Sequence, residues 1–194
     1  MSTKGGFGRR RILTGALAAA AAVLLPTPGI AQQRKPGIQG HMAPALKIDW
    51  WIDAQGKPTS FDLMAERGKW VYLKFWQSWC PGCHRHGLPS LEKFVRVFKD
   101  EPRVAAAGVQ TVFEGFRTNT RDEVRKTQLQ YNLAIPMGHD AGNPDGDHLP
   151  HTMRSYRSGG TPWVVIVRPD GRVVYNGFNI NVDKLIAHVQ QDLA

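Results

Sequence analysis

Cysteine is scarce in this chain of 194 residues: Cys80 and Cys83 are the only two. That count alone excludes a disulfide-rich scaffold and a four-cysteine zinc site. Long hydrophobic runs are missing too. The apolar stretch from Ala16 to Leu25 covers ten residues, too few to cross a hydrocarbon core of about 30 Å as a helix. Acidic residues are absent from positions 1–31, which hold Lys4, Arg9, Arg10 and Arg11. Those four residues supply almost half of the formal net charge of +9. The remaining chain, with 21 basic and 16 acidic residues, gives little support to a nucleic-acid-binding role. No internal repeat appears, and no low-complexity segment lies outside the first thirty residues. With 42% hydrophobic and 21% charged residues, the composition is globular, and the length suits one domain with a full core.

The first thirty-one residues read as an export signal. A basic start, Gly8-Arg9-Arg10-Arg11-Ile12-Leu13-Thr14, runs into the Ala-rich stretch, which Pro26 and Pro28 end. Gly29-Ile30-Ala31 then places small residues where a signal peptidase cuts. Arg9-Arg10 followed by Arg11, Ile12 and Leu13 resembles the twin-arginine export motif. An ordinary secretory signal and an uncut tether are the alternatives. No cysteine stands directly after the apolar run, which argues against a lipoprotein anchor. The expected organisation is a signal at 1–31, a loose polar leader at 32–48 and a folded domain at 49–194. The mature protein is expected in a bacterial periplasm, without stable membrane insertion. Disulfides persist in that compartment.

Hydrophobic patterning gives the element order. Trp50 to Lys57 reads as a short strand and turn. Trp70 to Trp76 is an almost continuous apolar run, as in a central strand covered on both faces. A helix follows from about Pro81, with Leu88, Leu91, Phe94, Val95 and Phe98 on one side. Val104 to Val112 is a second buried strand. Asn119 to Tyr131 is a helix with Thr120 as its cap. Ala134 to Met137 reads as a short edge strand, Asp140 to Pro150 as a loop, and His151 to Tyr156 as a helical turn or two. Trp163–Val167 and Arg172–Tyr175 flank Pro169-Asp170-Gly171, a hairpin signal. Val182 to Leu193 closes the chain as an amphipathic helix. The order predicts an α/β fold with a mixed sheet and helices on both faces.

The chemistry concentrates in Trp79-Cys80-Pro81-Gly82-Cys83-His84. Two cysteines two residues apart, where a buried strand meets a helix, form a reversible redox pair. At the helix N-terminus, free backbone N–H groups and the macrodipole favour the Cys80 thiolate. Pro81 suits the first helical turn, which needs no N–H. Cys83, one turn along and more buried, is the resolving thiol, and His84, Arg85 and His86 add positive character. A disulfide closing so small a loop would stabilise little as a mere staple.

Phe75 to Cys83 resembles the active-site stretch of the thioredoxin superfamily, and Gly160-Thr161-Pro162 resembles its cis-proline loop. With the export signal and the 79 positions from Cys83 to Pro162, the chain is most similar to the periplasmic TlpA/ResA-like thiol–disulfide oxidoreductases. The resemblance covers about Asp49 to Leu193. It implies a thioredoxin fold with an insertion between the two motifs, and a cis peptide before Pro162 that faces the disulfide. It also implies backbone hydrogen bonds from Thr161 to a bound chain. Trp79, Pro81, Gly82 and His84 would shape the site. Expected partners are protein thiols and disulfides in the periplasm, together with a membrane redox partner. The Cys80–Cys83 pair would work without an organic cofactor or a metal.

Three departures stand out. Thioredoxins carry a buried Asp six positions before the first cysteine, where this chain has Lys74. Its amine would either reach the surface on a buried stem or stay inside and act on the cysteines by charge or proton transfer. The helix proline, normally five residues after the second cysteine, is Pro89 here, six after Cys83, which predicts a bulge or extra turn. Glu114, in the insertion, is a possible modulator. Competing readings are a DsbA-like oxidase or isomerase, a zinc site, a structural disulfide, a peroxiredoxin and a metal carrier. Zinc would need four converging ligands, and Cys80, Cys83, His84 and His86 crowd one helix start. A peroxiredoxin pocket needs Pro at 73 and Thr at 77, where Leu73 and Gln77 stand. Asp140, Asp145, Asp147, His148 and His151 could offer ligands to a cation, but their spacing fits no EF-hand.

Overall fold

A computed structural model describes residues 35–194. The export segment and the first residues of the leader lie outside the described residues. Among the described residues seven strands form one sheet, in the order β2-β1-β5-β4-β3-β6-β7. They are β1 (Trp51–Ile52), β2 (Pro58–Thr59), β3 (Trp70–Trp76), β4 (Val104–Val112), β5 (Met137–Ala141), β6 (Trp163–Val167) and β7 (Val173–Gly177). The helices are α1 (Leu88–Val97), preceded by a π turn at Cys83–Gly87, α2 (Arg121–Gln130), α3 (His151–Tyr156) and α4 (Val182–Leu193). β3, β4 and β5 run parallel, while β6, β7, β1 and β2 pair antiparallel to their neighbours. The sheet is therefore mixed, as the element order predicts.

β3 is the central strand, and all seven of its residues are buried. Alternate side chains feed two cores. Trp70, Tyr72 and Trp76 pack with Leu88, Leu91 and Phe94 of α1 and with Leu185, Ile186 and Val189 of α4. Val71, Leu73 and Phe75 pack on the opposite side with Tyr156 of α3 and with Ile38, Leu46 and Phe61. Caps set the helix starts: the Thr120 side chain accepts from the Glu123 N–H, and Asn181 accepts from Lys184 N–H. Asp140 takes that duty for α3, accepting from Thr152 N–H at 2.7 Å and from the Thr152 hydroxyl at 2.6 Å.

Two sequence expectations need correction. Ala134 to Met137 was to be an edge strand, whereas β5 begins at Met137 and lies inside the sheet, between β1 and β4. Gly138, His139 and Asp140 have low strand propensity, so local sequence hides the strand. Gly138 is required there, since a β-carbon would fall 2.9 Å from the Trp51 ring of the neighbouring strand. The leader is also not loose from Lys35 onward. Ile38, Ala43 and Leu46 are buried. Backbone bonds tie Gly40 to Val173 and Ala43 to Gly171, and the Tyr156 hydroxyl donates to the Pro44 carbonyl at 2.6 Å. This segment covers the half of the sheet that the short α3 leaves open, which its polar composition does not announce.

The irregularity expected near Pro89 is the π turn. Proline has no N–H, and its ring crowds the carbonyl four residues back. One extra residue in the turn resolves both problems: the Leu88 N–H reaches the Cys83 carbonyl, a five-residue step, and Pro89 falls in the first turn of α1.

A chain beginning at Asp49 loses the buried Ile38 and Leu46. Relative to the full chain it should be less stable by about 3 kcal/mol or more. Urea denaturation of the two forms measures this, and equal midpoints would show that the segment contributes nothing to the domain.

Candidate active site

β3 ends inside the core and hands the chain to Gln77, Ser78 and Trp79. Two anchors hold that turn. The fully buried Gln77 donates through Nε2 to the Thr111 carbonyl at 2.9 Å. Ser78 N–H donates to Asn119 Oδ1 at 2.7 Å. Asn119 is itself fixed, since its Nδ2 donates to the carbonyls of Glu114 and Gly115 at 3.1 and 3.2 Å. The insertion loop is thereby tied to the approach to Cys80. Gly115 has a φ of +61°, and a β-carbon there would lie 3.1 Å from Trp79 Cδ1, so the indole rests over the loop while remaining 48% exposed.

Cys80 and Cys83 form a disulfide with a Cα–Cα separation of 5.2 Å. Helical structure begins at Pro81, which is exposed. Cys83 N–H donates to the Cys80 carbonyl at 3.0 Å and also approaches Cys80 Sγ at 3.1 Å. This N–H of the first helical turn, shared between the carbonyl and the sulfur, favours the anion of Cys80 in the reduced form. Cys80 is 4% exposed and Cys83 is fully buried. Access to Cys80 in the oxidised form is thus narrow, less open than the sequence suggests.

The Thr161–Pro162 peptide is cis. A β-carbon on Gly82 would fall 3.3 Å from Pro162 Cδ, so the centre of the cysteine motif faces the proline ring. Gly160, just before, has a φ of +137°, open to glycine and strained for other residues. Thr161 and Pro162 are half-buried. The tertiary structure therefore brings two motifs 79 positions apart in sequence into contact.

His84 is braced. Its Nε2 donates to the Ser78 carbonyl at 2.7 Å, and Nδ1 lies 2.9 Å from the Tyr131 hydroxyl. The ring thus clips the helix start to the preceding turn and to the end of α2. Glu114 is exposed and contributes its backbone carbonyl to Asn119. Asp140 caps α3, and Asp147 accepts from Leu149 N–H and pairs with Arg154. His139 donates from Nε2 to the Asn119 carbonyl at 3.1 Å, and burial holds its pKa below the usual histidine value. Sequence reasoning missed Gln77, Asn119 and Tyr131. Their polar identity suited surface positions, and only their burial and long-range bonds mark them.

Lys74 is 1% exposed, so its amine stays inside the protein. It lies on the same face of β3 as Tyr72 and Trp76, the face that carries the cysteines. Burial alone pulls its pKa down to about 7. In the unfolded chain the amine binds a proton up to its ordinary value of 10.5. Between pH 7 and that value the unfolded state holds more protons, so stability rises with pH. Denaturant melts from pH 6 to 10 should show this rise in the parent protein, and Lys74→Met should flatten it. An identical pH dependence in both would contradict the burial of a titrating amine.

Residues 39–176 match the model of the AhpC/TSA family. The thiol–disulfide oxidoreductase ResA of Bacillus cereus is 26% identical over 135 residues, which cover 70% of this chain and 66% of that protein. The chain thus spans about two thirds of the length of that relative. Among solved structures, the thioredoxin-like superfamily protein SPOA0173 superposes with a TM-score of 0.66 at 30% identity, covering 77% of this chain and 94% of that one. A thiol-disulfide isomerase from Corynebacterium glutamicum gives 0.65 at 28% identity, covering 77% and 95%. The cysteine pair at a helix start, the cis-proline against it and these likenesses agree: the chain belongs to the AhpC/TSA family, with a thioredoxin fold of the TlpA/ResA-like type.

Proposed function

We propose that this protein is a thiol–disulfide oxidoreductase acting on exported proteins in the periplasm, with Cys80 and Cys83 as its redox pair. The observation that carries the reading is the disulfide at a helix N-terminus, with Gly82 against the cis-Pro162 ring. In the reducing direction, the Cys80 thiolate attacks a partner disulfide and expels one partner thiolate. The Cys83 thiolate then attacks Cys80 Sγ, breaks the mixed disulfide and releases the second. Two electrons pass to the partner, and the Cys80–Cys83 bond forms. A membrane electron donor would reduce it again. The oxidising direction runs the same steps backwards.

Each residue around the pair has a part in this scheme. The Cys83 N–H beside Cys80 Sγ favours Cys80 as the nucleophile, and complete burial suits Cys83 to resolution. Pro81 starts the helix, and Gly82 admits Pro162. The half-buried Thr161 offers its backbone to an incoming chain, and Trp79, half exposed against the insertion loop, shapes the approach to Cys80. His84 positions the turn through Ser78 and Tyr131. Family resemblance favours the reductive direction; the ResA relative, named a thiol–disulfide oxidoreductase, matches 70% of this chain. A DsbA-like oxidase or isomerase is the second reading, favoured by the groups that stabilise the reduced Cys80 thiolate. Peroxide reduction fits poorly, since Leu73 and Gln77 stand where a peroxidatic pocket needs Pro and Thr.

Cys80→Ser should abolish insulin disulfide reduction, while Cys83→Ser should accumulate partners as mixed disulfides visible on non-reducing gels. Equal capture by both variants would overturn the assigned roles. The reduction potential, read by alkylation after equilibration with glutathione, decides direction. A value at or below roughly −250 mV marks a reductase, and one near roughly −120 mV marks a disulfide donor. Failure to form a reversible disulfide would end the enzyme reading.

A further inference from the structure

A cavity of about 340 Å³ opens beside α1, and Lys74 forms part of its wall. The lysine is 1% exposed, no hydrogen-bond or ion-pair partner meets its amine among the described residues, and burial lowers its proton affinity. Gly87 makes the room, since a β-carbon there would fall 2.7 Å from Lys74 Nζ and 3.1 Å from Pro162 Cβ. The cavity is therefore one residue away from the cis-proline.

Its other walls carry a consistent chemistry. Tyr72 lines it, its buried hydroxyl has no partner among the described residues, and burial raises its pKa, keeping it a donor. Ser90 and Asn179 add a hydroxyl and an amide, and Val164, Phe178 and Ile180 supply apolar surface. A buried, unpaired ammonium is costly unless an anion meets it. One cation with a few neutral donors matches a single negative charge, and the apolar walls match a short hydrocarbon stem. A phosphate dianion would leave its second charge unpaired.

We propose that this cavity is a carboxylate-binding site in which Lys74 pairs with the acid and Tyr72 and Ser90 donate to it. The carboxylate comes either from a Glu or Asp side chain of a chain docked at Pro162 or from a free small organic acid. Pairing favours the protonated amine, so binding takes up a proton and weakens as pH rises above neutrality. The titratable groups facing the cavity are Lys74 and Tyr72 from β3 and His86 from the π turn; Tyr175 of β7 stands near Tyr72 and donates to the Asn179 carbonyl, and α1, β6 and the loop 178–180 bring none. The site needs no thiol chemistry, so it is tested in the oxidised protein and stands or falls apart from the redox reading.

The experiment is NMR of the full chain labelled at lysine Cε, with the Lys74 signal assigned by its loss in Lys74→Met. Butyrate is one probe and butyramide its uncharged control. The blocked peptide acetyl-Gly-Glu-Gly-amide is the other, with the Gln peptide as control. Butyrate should shift the Lys74 signal saturably, raise its titration midpoint and bind about tenfold more weakly per pH unit above that midpoint. His86→Gln should retain this dependence. A response to butyrate alone assigns the site to a free acid, and a response to the Glu peptide assigns it to a partner side chain. No response to either acid, or an equal response to the uncharged controls, overturns the proposal. Tyr72→Phe and Ser90→Ala, which keep Lys74 in place, should each weaken butyrate severalfold; unchanged affinity in both overturns the assigned donors. If Lys74→Met does not fold, Lys74→Arg serves for the assignment.

Discussion

Everything at the Cys80–Cys83 disulfide depends on how firmly β3 is held. The strand is hydrogen-bonded along its length to β4 on one side and β6 on the other, and its seven residues are buried. Because the period of a strand is two, this pairing sets which side chains face α1 and α4 and which face α3 and the N-terminal segment. It also fixes the point where the chain leaves the sheet. The same register places β6 beside β3, so that Pro162, just before β6, meets the helix start that follows β3. A slip of one residue would turn Lys74 to the wrong face and separate the cysteines from the cis-proline.

Polar residues do the fine positioning around this frame. Gln77, Asn119, Tyr131 and His84 connect β3, β4, the insertion loop, α2 and the helix start through bonds of 2.7 to 3.2 Å. Buried polar groups are favourable when paired and unfavourable when left alone. Lys74 stands apart from this network, and its isolation is what gives the adjoining cavity its character. The π turn belongs to the same arrangement. It absorbs the extra residue before Pro89 and leaves Gly87 where the lysine and the proline ring both need space.

The fold was largely legible in the sequence. β3, β4, β6, α2, α3 and α4 follow from apolar runs, periodicity and caps, and their spacing is that of a mixed α/β sheet. β5 was not, because Gly138, His139 and Asp140 form a strand only under the pairing imposed by Trp51 on one side and Val109 on the other. The docked N-terminal segment was not legible either, since Ile38 and Leu46 stand among polar and Gly/Pro residues. Within the site, the cysteine pair and the Thr-Pro motif were plain. The bracing residues were hidden, as a glutamine or asparagine reads the same in a sequence whether it is solvated or buried.

The chemistry open to this protein is readable along the chain. A Cys-Pro-Gly-Cys run after a buried strand is a local pattern, and local patterns depend on propensity, periodicity and spacing along one chain. Where that chemistry meets its surroundings depends on folding. The contact of Gly82 with Pro162, the tie from Asn119 to Ser78 and the burial of Lys74 beneath Gly87 all join residues distant in the chain. Such contacts depend on how sheet and helices close over one another. Whether a lysine stem ends in water or in a core is settled by the neighbours that packing brings, and those neighbours are not adjacent in sequence.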